Sequence, residues 1–185
     1  MKRSRQAFED FMKRRPVLDL IEPDFICAEI GVWRGNLSHQ ILKKNPKKLY
    51  LIDPWVCQNY VERWYNIEQD KMDEIYRGVV DRFKDNPSVD IIRDYSLNTE
   101  FTAGFFNWVY IDGNHSYLNV LEDLKHYYPL IKNGGFLCGD DYGWHDKHHE
   151  NKPELFGGPE RAVDEFTNKH NLSLITDGNQ FIIVK

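Results

Sequence analysis

Five acidic residues end short apolar runs of strand-forming residues in this chain. They are Glu29 in Ala28-Glu29-Ile30-Gly31-Val32-Trp33-Arg34-Gly35, Asp53 after Leu51-Ile52, Asp112 in Val109-Tyr110-Ile111-Asp112-Gly113-Asn114-His115, and Asp140 and Asp141 in Gly139-Asp140-Asp141-Tyr142. An open parallel sheet binds ligands outside the carboxyl ends of its strands. Carboxylates gathered at such an edge repel one another, so a ribose, a cation or both must offset them. Neighbouring strands lie ~4.8 Å apart, so Asp112 from one strand end and Asp140 and Asp141 from the next are expected to converge on one hard cation. Mg²⁺ suits an oxygen-only donor set and keeps waters that substrate hydroxyls can replace.

At the other end of that edge, Glu29-x-Gly31-x-x-x-Gly35 joins the first strand to its helix. Gly31 lets the backbone approach a ligand closely, and Gly35 permits a tight turn at the helix start. Trp33 stands where the dinucleotide pattern G-x-G-x-x-G has its second glycine, which disfavours an NAD-dependent dehydrogenase. A pyrophosphate needs the close helix N-terminus, whereas an amino-acid tail does not. Asp53, ending the second strand, is placed to accept ribose hydroxyls. Asp94 and Ser96 follow the third strand and could bracket an adenine, although Asp and Ser there are also ordinary helix caps. The combination points to S-adenosylmethionine with a divalent metal. Trp33 and Trp144 flank the two ligand loops.

These positions require an alternating α/β chain. Phe8, Phe11 and Met12 recur at helical spacing and give an amphipathic helix before Pro16, within an extension covering residues 1–24. Strands are expected at Phe25–Ile30, Lys48–Ile52, Val89–Ile92, Trp108–Ile111, Phe136–Gly139, Leu172–Ile175 and Phe181–Val184. Helical stripes lie at Leu37, Ile41 and Leu42, at Val120, Leu121, Leu124, Tyr127 and Tyr128, and at Ala162, Val163 and Phe166. Asn133-Gly134-Gly135 turns into the fifth strand, and Asp177-Gly178-Asn179 is a hairpin signal that makes the last strand antiparallel. The expected fold is a Rossmann-like α/β domain spanning residues 1–185, with a seven-stranded, mostly parallel sheet and helices on both faces. Between Asp53 and Val89 lie Trp55, Tyr60, Trp64, Tyr65 and Tyr76, read either as a helix pair on the sheet or as a lid on an acceptor pocket.

Composition narrows the functional classes. At 185 residues, 41% hydrophobic and 29% charged, the chain reads as soluble and globular, with room for one two-sided core. A net charge of −5 argues against a nucleic-acid partner, and Lys2, Arg3, Arg5, Lys13, Arg14 and Arg15 read as a solvated helical face. No apolar run reaches the ~20 residues of a membrane helix, and residues 6–15 supply no signal-peptide core, so a cytoplasmic location is expected. Cys27, Cys57 and Cys138 are an odd set, two of them inside expected strands, and read as buried free thiols in a reducing compartment.

Several segments resemble class I S-adenosylmethionine-dependent methyltransferases, and within them the macrocin O-methyltransferase-like group of metal-dependent sugar O-methyltransferases. They are Glu29-Ile30-Gly31, Tyr110-Ile111-Asp112-Gly113-Asn114-His115-Ser116-Tyr117, Asp123-Leu124, Gly134-Gly135, Asp140-Asp141-Tyr142 and Gly157 to Phe166. The resemblance runs from about Cys27 to the C-terminus. It implies that Asp112, Asp140 and Asp141 hold Mg²⁺, and Asp140 in place of the His of many relatives favours the metal-dependent branch. The favoured acceptor, a saccharide or glycosylated metabolite, follows from the resemblance alone.

The reaction this implies is methyl transfer to a hydroxyl, with Asp112 or His115 receiving the proton. Glu29, Gly31, Trp33, Gly35, Asp53, Asp94, Ser96 and Asp112 would form the cofactor site. His115 titrates near neutrality, but it is as readily a residue that fixes the loop or lines the cofactor site. His145, His148 and His149 lack zinc-like spacing and read as loop residues that can line the acceptor site. Two alternatives stay open: a metal-independent methyltransferase with His115 as base, and a non-catalytic binding protein on the same fold. The sequence identifies neither the acceptor nor the oligomeric state.

Overall fold

The computed structural model describes residues 16–57, 67–144 and 157–185. Its strands are β1 (Ile26–Ile30), β2 (Lys48–Ile52), β3 (Val89–Ile92), β4 (Phe106–Ile111), β5 (Ile131–Gly139), β6 (Leu174–Asp177) and β7 (Gln180–Val184). The helices are α1 (Asn36–Leu42), α2 (Gln69–Phe83), α3 (Tyr117–Tyr127) and α4 (Gly158–His170). The strands form one seven-stranded sheet in the order β3-β2-β1-β4-β5-β7-β6. The pairs β3–β2, β2–β1, β1–β4 and β4–β5 are parallel, and β7 is antiparallel to both β5 and β6.

Successive residues of the central strands pack into opposite layers, as the two-residue period of a strand dictates. Ala28, Ile30, Val109 and Ile111 join Val120, Leu124, Ala162 and Phe166 under α3 and α4. Cys27, Leu49, Leu51, Trp108 and Tyr110 join Leu37, Ile41, Val79 and Phe83 under α1 and α2. Strands covered on both faces carry near-continuous apolar runs, which is why their polar terminal residues stand out in the sequence. The buried Trp108 indole donates to the carbonyl of Val17 at 3.1 Å and ties the 3₁₀ turn Pro16–Leu20 to the second layer.

Strand order reverses between β1 and β4, which is where such sheets take ligands. Parallel pairing runs one residue past the strand ends: Asp53, Asp112 and Asp140 each donate a backbone N–H to Ile92, Ile30 and Ile111 respectively. The three acidic side chains therefore start from one edge.

Some boundaries differ from the sequence reading. Strand β5 begins at Ile131, and Phe106 pairs with Ile131 before the register jumps to Trp108 opposite Phe136. Asn133-Gly134-Gly135 is thus an irregularity inside the strand, held by Gly134 N–H to the Lys185 carbonyl and Lys185 N–H back to Gly135. Strand β6 starts two residues later than expected, because left-handed Asn171 ends α4 and Leu172 N–H is taken by Thr167. Asp177 pairs with Gln180, so the hairpin turn is Gly178-Asn179 alone. Cys27 and Cys138 are buried free thiols, pushed well above the usual thiol range by burial, whereas Cys57 is half-buried. Between Asp53 and Val89 the described residues contain one helix, α2. The expected N-terminal helix around Phe8, the residues Tyr60, Trp64 and Tyr65, and His145, His148 and His149 lie outside the described residues. No helix among the described residues is long and apolar enough to cross a membrane.

Candidate active site

A cavity of about 670 Å³ opens at the carboxyl edge beside the β1–β4 switch, within the usual range for a small-molecule site. Gly31, Trp33, Asp53, Ser96, Asp112 and His115, all singled out in the sequence, line it. Glu29, Gly35, Asp94, Asp140 and Asp141 are not among its lining residues.

Asp53 is the strut of the β1–α1 loop. Its Oδ2 accepts the backbone N–H groups of Val32 and Trp33, each at 2.9 Å, and its Oδ1 accepts that of Trp55 at 2.7 Å. Trp33 and Trp55 both have left-handed backbones, and the Trp55 indole donates to the Trp33 carbonyl at 2.9 Å. Burial pushes the Asp53 pKa up against the opposing pull of these amides and Arg93, and the net shift is upward. A carboxylate has about four acceptor positions; the loop amides fill most of them and leave about one.

Gly31 has a φ of +87° and lies so close to the β4 loop that a β-carbon there would be 2.6 Å from Gly113 Cα. Gly35, also left-handed, packs against Phe83 of α2 rather than on the cavity. Glu29 is buried beneath the loop and accepts the Ser38 hydroxyl at 2.5 Å, joining β1 to α1. Asp94 is exposed and acts as a cap: its Oδ1 accepts Tyr95 N–H and the Asn98 amide, both at 2.7 Å. Ser96 faces the cavity and donates to Asp123 Oδ1 at 2.5 Å.

On the far wall His115 stands between two acidic loops. Its Nδ1 lies 3.1 Å from Asp141 Oδ2, and its Nε2 lies 3.4 Å from Asp112 Oδ1. Burial opposes a charged ring, but hydrogen bonds and charge from Asp112 and Asp141 outweigh it and lift the His115 pKa to about 10. The two flanking carboxylates thus favour the charged form of the ring. Trp144 meets it edge-on at 5.9 Å. The Asp141 backbone is left-handed, and Tyr142 fixes this loop by donating its N–H to Asn179 and its hydroxyl to Asp164.

The imidazole occupies the gap between two of the three expected ligands. No group of three His, Cys, Asp or Glu side chains among the described residues converges to hold a metal ion. The described arrangement does not fit a ready-made magnesium site.

Sequence reasoning missed Met72, Tyr95, Asn114 and Asn119, which also line the cavity, and gave Asp123 no role. Asp123 had a readable signal: with Val120, Leu124 and Tyr127 it falls on the buried stripe of α3, where an acid is out of place.

A sheet of this order with an antiparallel β7, covered by helices on both faces and open to a cavity at its switch point, defines the Rossmann-like methyltransferase fold. Residues 28–142 match the methyltransferase domain family, and the chain belongs to it. Among solved structures, the N-methyltransferase NodS from Bradyrhizobium japonicum is similar at 13% identity and a TM-score of 0.65, covering 97% of this chain and 96% of that one. The O-methyltransferase NovP is similar at 20% identity and a TM-score of 0.63, covering 94% and 79%. A curated relative, an uncharacterised protein of Acanthamoeba polyphaga mimivirus, is 27% identical over 126 residues, or 64% of this chain. The chain spans about half, 52%, of that relative's length. The cavity volume and the acceptor position left on Asp53 fit an S-adenosyl group.

Proposed function

We propose that this chain is an S-adenosylmethionine-dependent O-methyltransferase acting on a hydroxyl of a small molecule, with a sugar or glycosylated metabolite as the favoured acceptor. The observation that carries the reading is the cavity at the β1–β4 switch in a methyltransferase domain, with Asp112 and His115 on its wall and Asp141 behind the His115 ring. The saccharide preference rests on the sequence resemblance to the macrocin-like group alone, while the likeness to the O-methyltransferase NovP supports an oxygen acceptor.

Bound S-adenosylmethionine supplies a methyl group already activated on a sulfonium. The protein's tasks are then to align the acceptor oxygen with that carbon, to exclude water and to take the hydroxyl proton. Gly31, Trp33 and Asp53 form the side of the cavity for the amino-acid tail and ribose, and Tyr95 and Ser96 form the side for the base. Asp112 and His115 both line the cavity, and Asp112 is the carboxylate that takes the proton, with the His115 ring beside it.

A magnesium-dependent version would use Asp112, Asp140 and Asp141, which lie at neighbouring strand ends, but His115 would first have to leave the gap.

The test is turnover. The purified chain is incubated with S-adenosylmethionine and a panel of sugars, glycosides and catechols, and release of S-adenosylhomocysteine is followed with chelator and with added Mg²⁺. Transfer to a hydroxyl that survives chelator supports the reading. Activity that vanishes with chelator and returns with Mg²⁺ reinstates the metal triad. Cofactor binding without transfer to any acceptor favours the non-catalytic alternative.

A further inference from the structure

The two loops that meet at His115 come from different strands, and α4 touches both. In the loop after β5, Tyr142 follows Asp141 directly, and its hydroxyl donates to Asp164 Oδ1 of α4 at 2.9 Å. After β4, Tyr117 lies two residues past His115, and its hydroxyl donates to Glu165 Oε2 of α4 at 2.5 Å. The Arg161 guanidinium, one turn earlier on the same helix, covers the Tyr117 ring at 3.8 Å. Backbone contact adds to these bonds: a β-carbon on Gly158 would lie 2.6 Å from the Trp144 carbonyl oxygen and 3.4 Å from that of His115.

Helix α4 is suited to fixing a distance between the loops. Ala162, Val163 and Phe166 are buried in the first layer of the core and seat the helix on the sheet. Asp164 and Glu165 are neighbours in sequence and stand about 100° apart around the helix axis, so each serves a different loop. Both bonds join a hydroxyl to an acid, the stronger class of hydrogen bond when the acid is ionised. Burial and the Asp164 carboxyl push the Tyr142 pKa up to about 12, and the Glu165 bond raises that of Tyr117, so both tyrosines keep their protons as donors. Asp164 is half-buried and Glu165 is exposed, so water replaces Glu165 more readily than Asp164.

We propose that Asp164 and Glu165 are positioning residues: through Tyr142 and Tyr117 they set the separation of the loop bearing Asp141 from the loop bearing Asp112 and His115. The contact that depends on them is the 3.1 Å approach of His115 Nδ1 to Asp141 Oδ2. That contact joins two irregular loops, whereas Asp164 and Glu165 are adjacent on one packed helix. The consequence for methyl transfer rests on the function proposed above: misplacing a reacting group by about 1 Å costs about a hundredfold in rate.

The experiment is proton NMR of protein isotopically labelled at its histidine nitrogens, following the His115 Nδ1–H, assigned as the signal absent from His115→Gln. Wild type is expected to show it far downfield and shielded from exchange, as a proton held against a carboxylate. Tyr142→Phe removes one hydroxyl and keeps the ring, so it should shift or broaden the signal, and Tyr117→Phe should do so more weakly. Asp164→Asn, whose amide oxygen still accepts the tyrosine hydroxyl, should preserve the signal, and Asp164→Ala should not. Tyr127→Phe, which loses its hydroxyl bonds to Ser96 and Thr99 at the other end of α3, should leave it unmoved. No such signal in wild type, or an unmoved one in folded Tyr142→Phe, overturns the proposal. On an acceptor that wild type methylates, Tyr142→Phe should lower kcat about tenfold or more and leave the affinity for S-adenosylhomocysteine within about twofold. An equal loss of both would make the role structural only and overturn it as well. If wild type methylates no acceptor, the proposed function fails, and the proton signal alone decides the positioning.

Discussion

A β-carbon on Gly31 would lie 2.2 Å from the carbonyl oxygen of Asp112. The loops after β1 and β4 thus touch backbone to backbone at the switch point, and the contact exists because residue 31 has no side chain. Gly31→Ala meets rigid backbone and also requires a φ of +87°, so it should destabilise the fold by roughly 2–4 kcal/mol. Gly178→Ala is the control: its φ is also positive, at +57°, but the space around it is open, and the cost should be about 1 kcal/mol. Urea unfolding of both variants measures the difference. Equal losses would mean that the β1–β4 contact contributes nothing beyond backbone strain.

Asp53 connects loop geometry to ligand binding. Asp53→Asn turns one acceptor oxygen into a donor facing backbone N–H groups, so at least one amide of Val32, Trp33 or Trp55 loses its partner. Stability should fall by about 1.5–3 kcal/mol, the range for hydrogen bonds to a charged group, and affinity for S-adenosylhomocysteine should fall with it. Denaturant unfolding and calorimetry on the same preparations check both. A variant of undiminished stability that has lost affinity would make Asp53 a ligand contact rather than a strut.

The difference between those two roles marks how far the sequence could be read. An apolar run that stops at an acid betrays a strand end, so β1, β2 and β3 and the edge carrying Asp53, Asp112 and Asp140 were legible. The direction of each side chain was not, because it depends on tertiary contacts. Nothing local shows that Asp53 receives three amides from two loops, that Asp94 turns outward to cap its own turn, or that Glu29 is buried against Ser38. The metal triad was inferred from the spacing of strand ends. The inserted His115 ring was hidden because its partners lie 3 and 26 residues away in irregular loops. Asp123 was legible in principle, since a helical stripe exposes an acid in the wrong place.

Asp123 also gives a pH signature. Its folded-state pKa is raised from 3.8 to about 6, chiefly by burial. Between those values the folded protein binds more protons than the unfolded chain, so this group lowers stability as pH rises. The cost is absent below about pH 4 and complete above about pH 6, where it reaches about 3 kcal/mol. Asp123→Asn carries no such cost. Its stability relative to wild type should therefore improve by up to about 3 kcal/mol between pH 4 and pH 7.5. Urea titrations of both proteins across that range give the difference directly, and a flat difference would show that burial does not penalise the carboxylate.

The His115 ring lies between the Asp112 and Asp141 carboxylates, which favour its charged form. Its folded-state pKa is raised from 6.5 to about 10, so its stabilising contribution is fully present below pH 6.5 and is lost as pH rises through about 10. His115→Gln removes that charge from between the two carboxylates. The ring is 27% exposed, which moderates the loss, and about 1–3 kcal/mol is expected at pH 7. The same substitution opens the gap to a cation. Millimolar Mg²⁺ should then raise the unfolding temperature of the variant above its value in chelator while leaving wild type unmoved, because a ligand stabilises only the state that binds it. Thermal unfolding of both proteins with chelator and with Mg²⁺ separates the cases. An equal gain in wild type would mean that the ring yields to the metal, and Asp112, Asp140 and Asp141 would again be its ligands. A variant as stable as wild type in chelator would mean that the imidazolium is not what holds the two loops together.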